Sequence, residues 1–158
     1  SSVSSTGFAS FLGEPEEQTL KILVDDINAK GGVGVKGEKL RLISYDDASD
    51  ANNARTFATR LVEDDEVVAI IGGSTTGATM AIMPVVEEAG VPFISLAGAI
   101  EITQPVRKHT FKTPHTDRMA CAKIFEDMKK RDLHSVGILA STTSPLRATR
   151  FLALLMPT

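Results

Sequence analysis

The sequence predicts an α/β fold in which one parallel sheet is covered by helices on both faces. Apolar segments alternate with segments of helical period, the connections between them are short, and residues 67–71 form a continuous apolar run. Such a run is typical of a strand that is buried on both faces, and the alternation is typical of parallel sheets with right-handed crossovers. With 158 residues, 42% hydrophobic and 23% charged, the chain is long enough to bury a core of its own.

Each element is predicted from its pattern. The first helix has Pro15 in its first turn and ends at Gly31 and Gly32, and its apolar positions recur near the helical period. The predicted helices are 14–30, 50–63, 76–89 and 117–131. The predicted strands are a short one around Val3, then 39–45, 67–71, 91–95 and 135–140, with 96–113 irregular. We therefore expect a three-layer sheet of flavodoxin-like order 2-1-3-4-5, with a Rossmann-like order as the alternative.

Charge and composition exclude several classes of function. The net charge is −3 with both signs scattered along the chain, so no basic surface for nucleic acid is predicted. The single cysteine, Cys121, excludes an internal disulfide. No apolar run approaches the roughly 18 residues of a membrane span, and no signal-peptide pattern is present. We expect residues 1–158 to form a single lobe, and we interpret the short first strand and the apolar end at 151–158 as signs of truncation.

Three small, hydroxyl-rich segments containing glycine follow predicted strands, at 6–13, 72–77 and 95–99. The carboxyl ends of parallel strands meet at one edge of a sheet, where α/β proteins bind their ligands. Glycine lets a ligand approach the backbone N–H groups, and a helix N-terminus favours an anion. The sequence therefore predicts a binding site for a small anion, such as a carboxylate, at this edge.

A glycine pattern and a serine turn suggest two competing functions. Residues 32–37 match the dinucleotide pattern G-x-G-x-x-G, but a helix precedes them and a strand follows, so we interpret them as a turn. Ser74 lies in a near match to the nucleophile turn of hydrolases, with Asp117 or Asp132 and His134 as further candidates. Because His134 would lie at the opposite edge of the sheet, ligand binding or helix capping by Ser74 and Thr75 is favoured.

Metal and cofactor sites are not expected. The acids Asp46, Asp47 and Asp50 resemble part of a magnesium-binding phospho-acceptor site, but the other residues of such a site are missing, so we interpret them as solvated or capping groups. The three histidines lack the spacing of metal ligands. Lys112 and the other lysines are interpreted as parts of solvated faces.

Six segments in order resemble the periplasmic branched-chain amino-acid binding proteins of ABC importers, a type I solute-binding family. These segments cover most of the chain from about residue 6 to residue 140, and they are Leu12-Gly-Glu-Pro-Glu16, Ile27-Asn-Ala-Lys-Gly-Gly32, Ser44-Tyr-Asp-Asp-Ala-Ser-Asp50, Ala69-Ile-Ile-Gly-Gly-Ser74, Gly90-Val-Pro-Phe-Ile-Ser95 and Phe111-Lys-Thr113. Members have two α/β lobes that close on a small ligand and deliver it to a membrane permease. The resemblance implies that this chain is one lobe of such a protein, periplasmic or extracellular and lipid-anchored.

The resemblance also implies a ligand site. The positions that correspond to the family's ligand contacts are Ser74, Thr75, Ala97, Gly98, Ala99, Leu12 and Phe11. The first two and the backbone of 97–99 would hold the carboxylate and amino groups of an amino acid, and Phe11 and Leu12 would line the side-chain pocket. Ala99 replaces a common threonine or serine, which removes one hydroxyl group from the site.

The function expected from the resemblance is non-catalytic binding of an amino acid or related small carboxylate, with no cofactor. A ligand-sensing domain of a receptor or an amide-type regulator is the alternative, and a Ser74 hydrolase is the third. A single lobe should bind more weakly than about 1 μM because half of the ligand contacts are missing. A homodimer through the exposed cleft or the apolar C-terminal tail is a further expectation.

Overall fold

The computed structural model describes residues 1–137. Its sheet has five parallel strands in the order β2-β1-β3-β4-β5, as the sequence predicts. The strands are β1 (Ser2–Val3), β2 (Tyr45–Asp46), β3 (Ile70–Gly72), β4 (Phe93–Ser95) and β5 (Thr110–Lys112). The helices are α1 (Ser10–Ala29), α2 (Ala51–Glu63), α3 (Thr76–Ala89) and α4 (Asp117–Lys130), with a 3₁₀ turn at Ile100–Ile102.

The fifth strand is not the predicted one. β5 lies inside the stretch 96–113 that was predicted to be irregular, and it pairs with β4 from Phe93–Thr110 to Ser95–Lys112. Residues 135–137 of the predicted strand 135–140 are not in a strand, and 138–140 lie outside the described residues. β3 and β4 are equally short but lie in or next to apolar runs, whereas Thr110-Phe-Lys112 has one apolar residue and no such run around it, so no pattern marks β5.

Two further boundaries differ from prediction. α1 begins at Ser10, so Pro15 lies inside the helix and not in its first turn. Of the predicted strand 39–45, only Tyr45 lies in β2 (Tyr45–Asp46), and residues 39–44 are not in a strand. The turn at 32–37 is confirmed, because α1 ends at Ala29 and hydrogen bonds between Val33 and Glu38 close a tight hairpin with no helix after it.

The apolar core lies between α2, α3 and one face of the sheet. Right-handed crossovers place α2 and α3 on one face and α1 on the other. Strand side chains alternate accordingly: Ile70 and Phe93 are fully buried, whereas Ile71 and Ile94 point to the opposite face and are half-buried. The buried residues that the two helices contribute are Ala54, Ala58, Leu61, Ala78, Ile82, Met83 and Val86.

Local signals explain where these helices begin and end. Asp50 caps α2 by accepting hydrogen bonds from Asn52 N and Asn53 N, and Thr75 caps α3 by accepting one from Ala78 N. α3 ends at Gly90, which adopts the left-handed conformation that glycine tolerates. The capping roles predicted for Asp50 and Thr75 are therefore confirmed.

The contacts of the chain divide it into two compact units, one of Ser1–Asp117 and one that begins at Arg118. The first unit contains the whole sheet and α1 to α3. The second unit contains α4 apart from its first residue, Asp117. Ion pairs of Glu126 with Lys123 and Lys130 lie along the surface of this helix. Within residues 1–137, no helix combines the length and the apolar character that crossing a bilayer requires.

Candidate functional site

The candidate site lies at the carboxyl edge of the sheet, where the segments after β1, β3 and β4 meet. α1 starts here because its residue Gly13 packs directly on the backbone after β1. A Cβ built on Gly13 would lie 2.2 Å from Ser4 O, so only glycine permits this approach. Gly72 has the same role on the other side of β1, with φ of 154° and Ser2 O at 2.0 Å from a Cβ position. The two glycines thus bring the start of α1 and the end of β3 against the backbone of β1 and the residue after it.

Ser74 is turned inward at this edge. Its hydroxyl accepts a hydrogen bond from Ser4 N at 3.1 Å and donates one to Glu16 Oε2 at 2.5 Å, and the residue is only 4% exposed. The one hydroxyl proton is thus committed to Glu16. Burial raises the pKa of Glu16, and the hydrogen bond from Ser74 acts in the opposite direction. In this arrangement Ser74 connects β1, β3 and α1.

Thr75, the next residue, is half-buried at the rim of the site. Its backbone is extended and its side-chain oxygen caps α3 at a distance of 3.2 Å from Ala78 N. The following helix has 14 residues, so its N-terminal N–H groups carry the partial positive charge that favours a carboxylate. Thr75 and the amides after it are therefore the part of the β3 loop that suits an anion.

The second loop, Ala97–Ala99, is held by a lysine. Lys112 Nζ on β5 donates hydrogen bonds to Gly98 O at 2.5 Å and to Ala99 O at 3.2 Å. Burial lowers the pKa of Lys112, while Asp117 and Glu101 act in the opposite direction. The interpretation of Lys112 as a solvated residue was wrong, because its ammonium group fixes the turn that the sequence assigns to the ligand. The sequence did not predict β5, so it did not show that Lys112 lies next to this turn.

The loop is also closely packed from both sides. Ala97 and Ala99 are nearly fully buried, and Gly98 between them is half-buried. A Cβ built on Gly98 would lie 3.1 Å from Asp117 Oδ1. The Asp117 amide is 3.4 Å from Gly98 O, at the long limit of a hydrogen bond. The small residues of this loop are thus needed where the backbone comes close to its neighbours.

Phe11 and Leu12 lie in the first turn of α1, at the same edge of the sheet. Phe11 is 72% exposed and Leu12 is 39% exposed, and Phe8 just before the helix is exposed as well. Exposed aromatic and aliphatic groups beside a polar site are typical of the walls that a ligand side chain contacts. The structure thus brings all seven predicted site residues to one edge, with Ser74 the most deeply buried hydroxyl among them.

A buried acid that the sequence analysis interpreted as a solvated or capping group lies at the same edge. Asp47 is fully buried, and its Oδ1 accepts hydrogen bonds from Ser4 Oγ at 2.6 Å and Ser49 N at 2.9 Å. Its Oδ2 has no hydrogen-bond partner within residues 1–137. Burial raises the pKa of Asp47. The interpretation of this residue as solvated was wrong, whereas its neighbour Asp46 is exposed.

Residues 1–137 assemble neither a metal centre nor a catalytic triad at this edge. In the described part of the chain, no three acid, histidine or cysteine side chains converge as a metal ion requires. Ser74 has Ser4 N and Glu16 as hydrogen-bond partners, and no histidine among residues 1–137 is bonded to it. What the edge offers is a helix N-terminus, fixed backbone turns and an apolar wall.

An α/β unit with these features at the carboxyl edge of a parallel sheet belongs to the class of small-molecule binding lobes. Residues 2–149 match the profile of the family described as "Periplasmic binding protein", and the chain belongs to that family. It is 35% identical over 133 residues to Leu/Ile/Val-binding protein homolog 7 of Brucella abortus (strain 2308), which covers 84% of this chain and 33% of that protein. The chain thus spans about a third of the length of the curated relatives it matches.

Solved structures agree with this assignment. The branched-chain amino acid transporter substrate binding protein LivJ of Streptococcus pneumoniae, in complex with isoleucine, matches with a TM-score of 0.69 and 30% identity over 73% of this chain and 33% of that one. A solute binding protein of an ABC transporter from Rhodopseudomonas palustris BisB5, in complex with 3,4-dihydroxy benzoic acid, matches with a TM-score of 0.73 and 28% identity over 82% and 35%. These relatives and neighbours are substrate-binding proteins.

Proposed function

We propose that this chain is the first lobe of a periplasmic solute-binding protein and that it contributes one wall of a site for a small carboxylate. The observation that carries the proposal is the convergence of the N-terminus of α3, capped by Thr75, with the turn Ala97–Ala99 at one edge of the sheet. Both offer backbone groups in fixed positions. An amino acid is the proposed ligand, and an aromatic acid is the second class that the structural neighbours suggest.

Each predicted residue has a proposed role. The N-terminal amides of α3 and the Thr75 hydroxyl would receive the carboxylate, and the backbone of Ala97–Ala99 would position the ligand from the end of β4. Phe11 and Leu12 would contact its side chain. Because Ser74 already donates to Glu16, we propose that it binds ligand only if its hydroxyl turns away from that carboxylate. The role is binding without catalysis or a cofactor.

The partners follow from the same proposal. Loaded solute-binding proteins of this kind deliver their ligand to an ABC permease, which places the protein in the periplasm or at the cell surface, where a lipid anchor would hold it. The exposed apolar side chains of Phe11 and Leu12, which border the proposed cleft, support a homodimer through that cleft; the C-terminal tail, proposed as the other dimer contact, lies outside the described residues. Sedimentation over a range of concentrations tests the dimer, and a monomer at every concentration contradicts it.

Binding is tested by titrating the ¹⁵N-labelled chain with leucine, isoleucine and 3,4-dihydroxybenzoate and following backbone amide shifts by NMR. We expect shifts concentrated at residues 75–78 and 97–99, with a Kd weaker than about 1 μM. Thr75→Ala should weaken binding about tenfold or more because it removes both the hydroxyl and the helix cap. Thr56→Ala is the matched control, because the Thr56 hydroxyl donates to Asn52 O on the exposed side of α2.

The outcomes separate the functions. Shifts at both loops for leucine support an amino-acid site, and shifts for the aromatic acid alone redirect the ligand class. If the chain binds a regulatory partner and not a permease, the ligand-sensing alternative is favoured. No shift with any of the three compounds contradicts the proposal that this lobe binds ligand by itself.

A further inference from the structure

We propose that Thr79 and Ser95 are positioning residues that lock the two ligand-binding loops to each other through a buried relay of hydroxyl groups. The inference deepens the proposed function and rests on it. Both residues are fully buried, Thr79 in the first turn of α3 and Ser95 at the end of β4. Neither is among the seven residues that the resemblance assigns to the site, although Ser95 begins the segment 95–99 at which the sequence predicts binding.

The direction of every hydrogen bond in the relay is fixed. Thr79 Oγ1 donates its proton to Gly73 O at 2.8 Å. The 2.8 Å contact between Thr79 Oγ1 and Ser95 Oγ must therefore use the proton of Ser95. Ser95 Oγ in turn accepts a hydrogen bond from Ala97 N at 3.1 Å. Each hydroxyl thus donates one hydrogen bond and accepts one. The series of hydrogen bonds therefore connects Ala97, after β4, with Gly73, after β3.

The relay begins where the sheet ends. The last backbone bond between the two loops runs from Leu96 N to Gly72 O at 2.9 Å. One residue further along each chain, Gly73 and Ala97 are joined only through the two hydroxyls. Gly73 has φ of 65°, and a Cβ built on it would lie 2.4 Å from Thr79 Oγ1, so the backbone approaches the hydroxyl as closely as glycine allows. The relay therefore continues the spacing of the strands into the loops.

This spacing determines what the site can hold. The anion-binding end of α3 begins two residues after Gly73, and the turn Ala97–Ala99 begins at the other end of the relay. Because the Ala97 amide is held by Ser95, the orientation of the turn is set before a ligand arrives. Preorganised groups bind more tightly, because no ordering of the loops is then needed on binding.

The test uses two variants and a rescue. Thr79→Val keeps the shape of the side chain but removes the hydroxyl, which leaves Gly73 O without its donor and Ser95 without its acceptor. Ser95→Ala cuts the relay on the other side, and Thr79→Ser restores it. Thr59→Val is the matched control, because the Thr59 hydroxyl bonds Arg55 O on the exposed part of α2.

The first readout needs no ligand. Amide hydrogen exchange of Ala97 should accelerate at least about tenfold in Thr79→Val relative to the exchange of Ala54, a helix amide that reports on general stability. Among residues 1–137, the hydrogen bonds that connect Thr79 with Ala97 run through Ser95, so a general loss of stability would change both amides equally. Thr79→Ser should return Ala97 to its original rate. An Ala97 rate that changes only in proportion to Ala54 overturns the relay.

The second readout is the affinity for leucine by NMR titration. Thr79→Val and Ser95→Ala should each weaken binding about tenfold, and the double variant should bind no more weakly than either, because groups that act as one unit are not additive. Equal affinities in the parent chain and the variants overturn the positioning role while the binding function stands. If the parent chain binds none of the compounds, the proposed function fails, and the positioning role falls with it even where the exchange rates support the hydroxyl chain.

Discussion

The two faces of the sheet are covered in different ways. On the α2 and α3 face, buried apolar side chains from both helices and the strands form a continuous core. On the α1 face, Asn28 near the end of the helix exchanges two hydrogen bonds with the backbone of Leu40. At the start of the helix, Gly13 meets the backbone of Ser4 and Glu16 accepts a hydrogen bond from Ser74. Further along α1, Ile22 is 66% exposed and Leu23 is 50% exposed.

This difference shows which interactions keep the candidate site in order. On the core side, α3 and the proposed anion-binding end of the site are held by the burial of apolar surface, which contributes about 25 cal/mol per Å². The α1 side fixes the apolar wall of Phe11 and Leu12 by a small number of close polar and backbone contacts. Such contacts are sensitive to single atoms, so the two sides should respond to different substitutions.

The largest effect is expected at the glycine that holds α1. Gly13→Ala places a Cβ within 2.2 Å of Ser4 O, which is backbone and cannot turn away. We expect a loss of more than about 4 kcal/mol in the free energy of unfolding, measured in urea. Gly77→Ala is the control, since its Cβ position has only Thr75 Oγ1 at 4.0 Å and alanine is the better helix former. Equal stability of the two variants would show that α1 is not held at Gly13.

The next effect compares the same substitution on the two faces. Ile82→Ala empties part of the core between α2 and α3 and should cost about 2–5 kcal/mol. Ile22→Ala on α1 should change the free energy of unfolding by less than about 1 kcal/mol, because the side chain is largely exposed. Thermal unfolding of both variants measures the difference. A loss at Ile22 as large as that at Ile82 would mean that this part of α1 is covered in solution.

A smaller effect is expected at the buried acid between the loops after β1 and β2. Asp47→Ala leaves Ser4 Oγ and Ser49 N without their acceptor and should cost roughly 2–4 kcal/mol. Asp47→Asn keeps an acceptor oxygen and removes the buried charge, so at neutral pH it should lie within about 1 kcal/mol of the parent chain.

The pH dependence of the same pair gives the sign of the charge effect. Because burial raises the pKa of Asp47 in the folded protein, ionisation opposes folding, and stability falls as the pH rises through that raised value. The stability of the parent chain relative to Asp47→Asn should therefore increase as the pH is lowered. A constant difference between the two chains would show that Asp47 titrates alike in the folded and the unfolded state.

The sequence predicted the sheet order, and with it the edge at which the candidate site is proposed, because alternation and strand direction depend on many residues at once. It also predicted the caps Asp50 and Thr75 from local chemistry alone. It missed β5, since Thr110-Phe-Lys112 has a single apolar residue and no apolar run around it, and with β5 it missed Lys112. It could not distinguish Asp47 from Asp46, since one is buried and the other exposed only after β2 pairs with β1.

The apolar positions of α1 also show what a sequence pattern leaves undetermined. Leu20, Ile22, Leu23, Val24 and Ile27 recur near the helical period, but the described chain leaves Ile22 and Leu23 largely exposed. A periodic pattern shows which face of a helix is apolar, and tertiary packing decides how much of that face is covered. The hydroxyl relay of Thr79 and Ser95 had no sequence signal, because it depends on two residues that only the β3 and β4 loops bring together.

The smallest effect concerns a carboxylate on the well-packed side. Glu87 of α3 accepts hydrogen bonds from Thr110 Oγ1, His109 N and Lys108 N, which joins α3 to the start of β5. The hydrogen bond from Thr110 is the main cause that lowers the pKa of Glu87 in the folded protein. Its contribution to stability is therefore complete above the unfolded pKa and is lost as the pH falls through the lower folded value.

Glu87→Gln should accordingly be less stable than the parent chain at neutral pH, and the gap should close as the pH falls from about 6 to about 3. Glu88→Gln, next to it and exposed, controls for the loss of one negative charge. Because Thr110 begins the strand that carries Lys112, loosening Glu87 should also reach the turn Ala97–Ala99, and amide exchange at Gly98 and Ala99 should rise in Glu87→Gln but not in Glu88→Gln. Unchanged exchange at both residues would confine Glu87 to the anchoring of α3, and the α2 and α3 face would then support the site through apolar packing alone.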